Sequence, residues 1–355
     1  MLRWMLPVLG LFLFLPAGSR GQQQAVAPDI NPVPRGVRWL LKAQNRDGSW
    51  GLDAHMPSEI SCTVVAALAL MAGGNTERGG PDPECVEAVR KAYGFILQRA
   101  RRMRGNIAGG EVTLVQTKLG HHAHTFFSSV FLSQVYGMRG TWVRTEDVEE
   151  LKDHLSSLTA QIVKSQEPDG SWHKETFGSL KATCMAWLAL RAAASSGLDV
   201  ESASVEKTVK FIKAQWNPQT KLFDKTTGHG NYQTIYATAS CLRVLYAMGE
   251  GNSPEAKGAT EAFMQFVKTG QMGAAFLTVE GEDYLSAALV SQALLIEQDK
   301  RWNAWFPWIS NELAKRQAKD GSWTTTACIS GRTFATSCAL LTLQTPYRLL
   351  PIMEQ

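Results

Sequence analysis

One string occurs three times and constrains the fold more than any other feature: Gln44-Asn-Arg-Asp-Gly-Ser-Trp50, Gln166-Glu-Pro-Asp-Gly-Ser-Trp172 and Gln317-Ala-Lys-Asp-Gly-Ser-Trp323. A recurring string at a period of tens of residues marks a chain built from stacked copies of one supersecondary unit. Each copy ends a similar amphipathic segment: LLKAQ at 40–44, IVKSQ at 162–166 and LAKRQ at 313–317. In that register FIKAQ at 211–215 is a fourth copy without its Asp-Gly-Ser-Trp. FILQR at 95–99 and FVKTG at 266–270 are weaker fifth and sixth copies. The gaps between register positions are 55, 67, 49, 55 and 47 residues.

The units share a grammar. A helix with charges between apolar residues at three- and four-residue spacing comes first, as in 149–164 and 205–213. The turn follows. Asp-Gly supplies its chemistry, Gly48, Gly170 and Gly321 taking backbone conformations that a side chain resists. Trp50, Trp172 and Trp323 are plates that wedge between units. The amides of Gln44, Gln166 and Gln317 can satisfy backbone groups at a helix end. With Asp47, Asp169 and Asp320, these residues read as a structural repeat motif. A second helix, apolar nearly all round, completes each unit: 58–71, 124–136, 180–194, 233–248, 284–296 and 333–343. The first helix has a wet face and belongs outside; the second belongs inside. Six such pairs predict an all-α double ring of inner and outer helices in a single domain, 35–355.

Composition excludes several classes. With 45% hydrophobic and 19% charged residues the chain is neither disordered nor collagen-like, and six Cys in 355 residues cannot staple a disulfide scaffold. Arg3 followed by about twelve apolar residues and then Ala17-Gly18-Ser19 predicts a signal peptide over 1–21, with a polar lead-in at 22–34 and a secreted or periplasmic protein. An uncleaved anchor is the alternative. No later stretch is apolar for long enough to span a bilayer. Formal net charge is +4, and about +2 once Arg3 and Arg20 are removed. RARRMR at 99–104 reads as a solvated helix end, so no nucleic-acid partner is expected.

The segment Arg35-Gly-Val-Arg-Trp-Leu-Leu-Lys-Ala-Gln44-Asn-Arg-Asp-Gly48-Ser-Trp50 resembles the QW motif of squalene–hopene and oxidosqualene cyclases, shared with protein prenyltransferase β subunits. The resemblance implies an (α/α)6 toroid around a central cavity. The stretch 331–351 is similar to secreted bacterial squalene-cyclase-repeat proteins without assigned activity. Cyclases of this kind protonate an alkene from Asp-x-Asp-Asp at the start of an inner helix. Here that string is missing, and Glu280-Gly-Glu282-Asp283 stands at the start of the fifth inner helix. Three neighbouring carboxylates raise one another's pKa and leave a proton to donate. Glu280, Glu282 and Asp283 are therefore the candidate catalytic residues. The competing reading is helix capping, since acids are favoured at any helix N-terminus. The zinc ligands of the prenyltransferases are missing, Phe334 standing at the expected His position. Gly-Cys-Gly-Glu-Gln, the mark of thioester toroids, is missing too. No metal and no cofactor is expected.

The inner-helix starts should converge on one mouth of the ring. A polar rim there would comprise His121, His122, His124, Tyr232, Tyr284 and Arg332, with Glu59, His229, Asn231 and Thr333 nearby, over an apolar interior. The three histidines are spaced to offer two imidazoles to a metal, to serve the pocket, or simply to start a helix. Cys62, Cys184, Cys241 and Cys338 occupy similar places in four inner helices, which favours a packing role. Cys328 and Cys338, ten apart, are a candidate disulfide. The leading expectation is a toroid that binds or acts on an isoprenoid or other apolar small molecule or lipid. The alternatives are a non-catalytic scaffold or protein-interaction toroid, and a carbohydrate-active toroid using paired carboxylates.

Overall fold

The computed structural model describes residues 31–102, 112–139, 145–172, 179–223, 231–269, 276–277 and 280–351, the side chains of 231–233 excepted. The chain divides at Asn31/Pro32, and the architecture below is that of Pro32–Gln355. Its inner helices are α2 (Ile60–Met71), α5 (Ala123–Arg139), α7 (Ser179–Ser195), α9 (Asn231–Ala247), α11 (Gly281–Ile296) and α13 (Arg332–Gln344). Its outer helices are α1 (Val33–Ala43), α3 (Pro83–Arg102), α6 (Glu146–Lys164), α8 (Ser202–Ala214), α10 (Pro254–Thr269) and α12 (Trp302–Arg316). A short helix α4 (Leu114–Leu119), started by a Thr113/Gln116 capping box, precedes α5 and was not foreseen from the repeat. The ring closes. Each inner helix packs on the next, from α2 through α5, α7, α9 and α11 to α13, and α13 packs back on α2. No helix among the described residues is long and apolar enough to cross a membrane.

The three Asp-Gly-Ser-Trp turns have one geometry. The indole Nε1 of Trp50, Trp172 and Trp323 donates to a carbonyl in the last turn of its own outer helix: Leu40, Ile162 and Leu313, at 2.8, 2.9 and 2.8 Å. The backbone N–H of each Trp donates to a threonine hydroxyl on the following inner helix: Thr63, Thr183 and Thr336. The Gln amides reach outward, Gln44 to the Ala88 carbonyl of α3, Gln166 to the Ser204 carbonyl of α8 and Gln317 to the Pro32 carbonyl at the head of α1. The last of these links the final turn to the first helix. The glycines are obligatory: Gly48, Gly170 and Gly321 have φ of +87°, +92° and +96°, and a Cβ would lie 2.4–2.5 Å from the carbonyl oxygen of Lys91, Lys207 or Arg35.

The fourth copy kept its contact and changed its residue. Strands β1 (Trp216–Asn217) and β2 (Leu222–Phe223) form a small hairpin where the turn would be. Phe223, fully buried, takes the Trp position, and its N–H donates to Thr238 Oγ1 at 3.1 Å. The four threonines also correct the cysteine alignment. Relative to Thr63, Thr183, Thr238 and Thr336, the cysteines sit one before, one after, three after and two after. The four thiols therefore point in different directions around their helices. Cys328 and Cys338 are not joined; all six cysteines are free, Cys338 buried within α13 and Cys328 in the loop before it.

The inner helices are buried on nearly every face, with Gly137 and Arg191 among the few exposed positions. Several of their hydroxyls donate to their own helices four residues back, as in Thr63 to Glu59, Ser240 to Tyr236 and Thr342 to Cys338, while those of Thr125, Ser128, Ser129 and Thr333 are buried without a partner among the described residues. Residual exposure is periodic. Phe127 and Val130 on α5, Met185 and Leu188 on α7, and Leu289 and Gln292 on α11 retain 5–9% exposure, while Phe131, Ala186 and Ala287 have none. A spacing of three residues places each pair on one helix face. Neighbouring inner helices and the outer ring cover the other faces, so these stripes look into the ring's lumen.

Candidate functional site

The start of α11 is held by its neighbours. The Asp283 carboxylate accepts from the Leu277 N–H at 2.8 Å, and the Tyr284 hydroxyl donates to the Leu277 carbonyl at 3.2 Å. Consecutive side chains thus grip both polar groups of a residue held at φ +68°. On the other side, Ala327 bridges to Glu280, and the Ile329 N–H faces the Glu282 carboxylate at 3.4 Å. Gly281 permits this approach, since a Cβ there would lie 2.3 Å from the Ile329 carbonyl oxygen. Glu280 is the N-cap but makes no side-chain capping bond. The acids therefore serve the flanking loops more than the helix terminus.

Glu282, 1% exposed, faces Lys181 of α7 with Nζ 3.9 Å from Oε1. Helices α7 and α11 are separated by α9, so the pair spans the lumen. The Lys181 ammonium lies 5.9 Å from the ring centroid of Tyr236, on α9. Burial pushes both partners toward their neutral forms, and each partner's charge pushes back. Burial raises the Asp283 carboxyl to about 7, against the lowering effect of the Leu277 N–H and the Tyr236 phenol. The Tyr236 phenol is itself raised, first by burial and then by the neighbouring acids. Asp283 therefore keeps its proton well above the ordinary carboxylate range.

A second polar cluster lies where α2 and α5 begin. His124 Nδ1 is 2.9 Å from Ser61 Oγ, and Nε2 is 3.5 Å from a Glu59 oxygen. Glu59 caps α2 by accepting from the Cys62 N–H, and Thr113 donates to its other oxygen at 3.0 Å. Burial raises the Glu59 carboxyl and lowers the His124 imidazole to about 4, so His124 is neutral. His124 heads the α5 stripe, just as Lys181 and Glu282 head those of α7 and α11. Polar residues thus gather at the starts of α5, α7 and α11.

The predicted rim separates into different environments. His121 is exposed, His122 is half-buried against Phe126, and only His124 joins a polar cluster. The three imidazoles do not act together because helix α5 begins at Ala123 and points them apart. Tyr284 is buried on the Leu277 carbonyl, not exposed on a rim. Arg332 turns outward: it pairs with Asp53 and Asp320 and lies over Trp39, joining the last repeat to the first. The Tyr232 side chain and His229 lie outside the described residues. Lys181 and Tyr236 were not foreseen, and Cys328 was foreseen only as a disulfide partner. For Lys181 the signal was present, as a charge inside an otherwise apolar stretch of an inner helix.

Glu280, Glu282 and Cys328 bring ligand atoms within 4.8 Å of one another. Burial and the two glutamates push the Cys328 thiol up to about 12, and Lys181 already stands against Glu282. A protonated thiol and a nearby ammonium are poor company for a cation.

No family model matches the chain, and no curated protein does. Similar solved structures include the type II terpene cyclase MstE from Scytonema, at 15% identity over 90% of this chain and 99% of that one, with a TM-score of 0.35. A variant of MstE in complex with geranylgeranyl dihydroxybenzoate gives 16%, 90%, 97% and 0.35. A protein from Actinoplanes gives 16%, 91%, 99% and 0.46. The fold assignment rests on the closure of this chain's own helical ring, not on these likenesses.

Proposed function

We propose that the lumen takes an isoprenoid or similarly apolar, unsaturated ligand and that Asp283 is the proton donor to it. The observation that carries this reading is the Asp283 carboxyl, buried at the start of an inner helix and raised to about 7. Proton transfer to a double bond forms a C–H bond and leaves a carboxylate on Asp283. The Leu277 N–H, 2.8 Å away, favours that carboxylate. Lys181 and Glu282 close the mouth and keep water out. Export by the N-terminal apolar run fits a ligand met outside the cytoplasm.

A second reading, a scaffold without catalysis, is favoured by one feature: the Lys181–Glu282 pair stands between two inner helices where a ligand would have to pass. Two measurements separate the readings. Lipid extraction and mass spectrometry of the purified protein should find a bound apolar molecule. Incubation with squalene in D2O should place deuterium in a product with the parent protein and not with Asp283→Asn. A lipid-free protein that leaves squalene unchanged would leave the scaffold.

A further inference from the structure

We propose that Cys184 and Cys241 are joined by a disulfide when the chain folds under oxidising conditions. The two sulfurs are 3.7 Å apart, already in van der Waals contact, on the adjacent inner helices α7 and α9. Both side chains are fully buried. The contact arises because the two cysteines are offset differently from their threonine anchors, one residue after Thr183 and three after Thr238. Bond formation requires the sulfurs to close to about 2.05 Å, roughly 0.8 Å of movement by each thiol.

The step is a thiol–disulfide exchange. Two S–H groups lose two protons and two electrons, one S–S bond forms, and a small-molecule or protein disulfide is reduced to two thiols. Exchange must precede ring closure, because the finished ring excludes the oxidant and burial holds the Cys241 thiol protonated. The same burial shields the finished bond from reductants. The bond would close a loop across 57 positions, constraining the unfolded chain. It would also tie together the helices that carry Lys181 and Tyr236. The proposal is independent of any reading of the ligand.

The test uses the full chain folded in a glutathione redox buffer, blocked with iodoacetamide in denaturant, digested without reductant and analysed by mass spectrometry. The expected result is one linked peptide pair containing Cys184 and Cys241, two hydrogens lighter than the separate peptides. Cys62 and Cys338, on the adjacent helices α2 and α13, should be alkylated and serve as the internal control. The oxidised protein should melt several degrees above protein folded in dithiothreitol, and the difference should vanish in Cys184→Ala and in Cys241→Ala. Full alkylation of both cysteines, or a cross-link from either to a different cysteine, overturns the proposal. The parent-protein mass analysis decides even if a variant fails to fold.

Discussion

Asp283 is the residue at which chemistry and stability meet. Its carboxyl is raised from 3.8 to about 7 by burial. Between those values the unfolded chain releases this proton and the folded chain keeps it, so the group's contribution to stability falls as pH rises through the window. Above pH 7 the full penalty, roughly 4 kcal/mol, applies. Asp283→Asn, which keeps an acceptor for the Leu277 N–H, should therefore melt higher than the parent at pH 8 and at the same temperature near pH 3. Thermal melts across pH check this, and a constant difference would contradict the raised pKa. The acids themselves were legible, because Glu280-Gly-Glu282-Asp283 stands beside a recognisable inner helix. Lys181 and Tyr236 were not. Lys181 lies 101 positions before Glu282, and only closure of the ring brings them together. Arg332 misled for a related reason: its position at a helix start was right, but Asp53, from the first repeat, draws it outward.

At the scale of the element, the turn is a set of hooks and the outer helix is what it catches. Gly170→Ala combines a φ of +92° with a Cβ 2.4 Å from the Lys207 carbonyl oxygen, so it should cost at least ~2 kcal/mol in denaturant unfolding. Gly94→Ala, on the open face of α3 with nothing within 4 Å, should stabilise by about 0.5–1 kcal/mol. A similar loss at both sites would remove the close-approach argument. Phe223→Ala should cost ~3–5 kcal/mol, as expected for emptying a fully buried aromatic slot. The repeat was legible wherever Asp-Gly-Ser-Trp survived, because turn chemistry and a bulky anchor are written locally. In the fourth unit only the anchor's contact survived. A hydrogen bond from Phe223 to Thr238 leaves no string to read.

The whole molecule is joined where its last repeat meets its first. The Gln317 amide reaches the Pro32 carbonyl, Arg35 reaches the Ala318 and Lys319 carbonyls, Gln344 reaches the Ala69 carbonyl, and Gly331 lies against Leu52. Gly331, at φ +127°, has no room for a Cβ, which would lie 2.3 Å from the Leu52 carbonyl oxygen. Gly331→Ala should therefore loosen this seam and lower the melting temperature by several degrees. Hydrogen exchange should rise in α1 and α13 before the helices opposite them. Uniform loss of protection around the molecule would argue against a seam. With α1 lying against α13, the first and last helices of the ring are neighbours. A path that returns to its starting point has no privileged beginning. The first and last helices of the ring could be joined by a linker and new ends cut in an exposed connection between two units, and the permuted chain should still find the same native contacts.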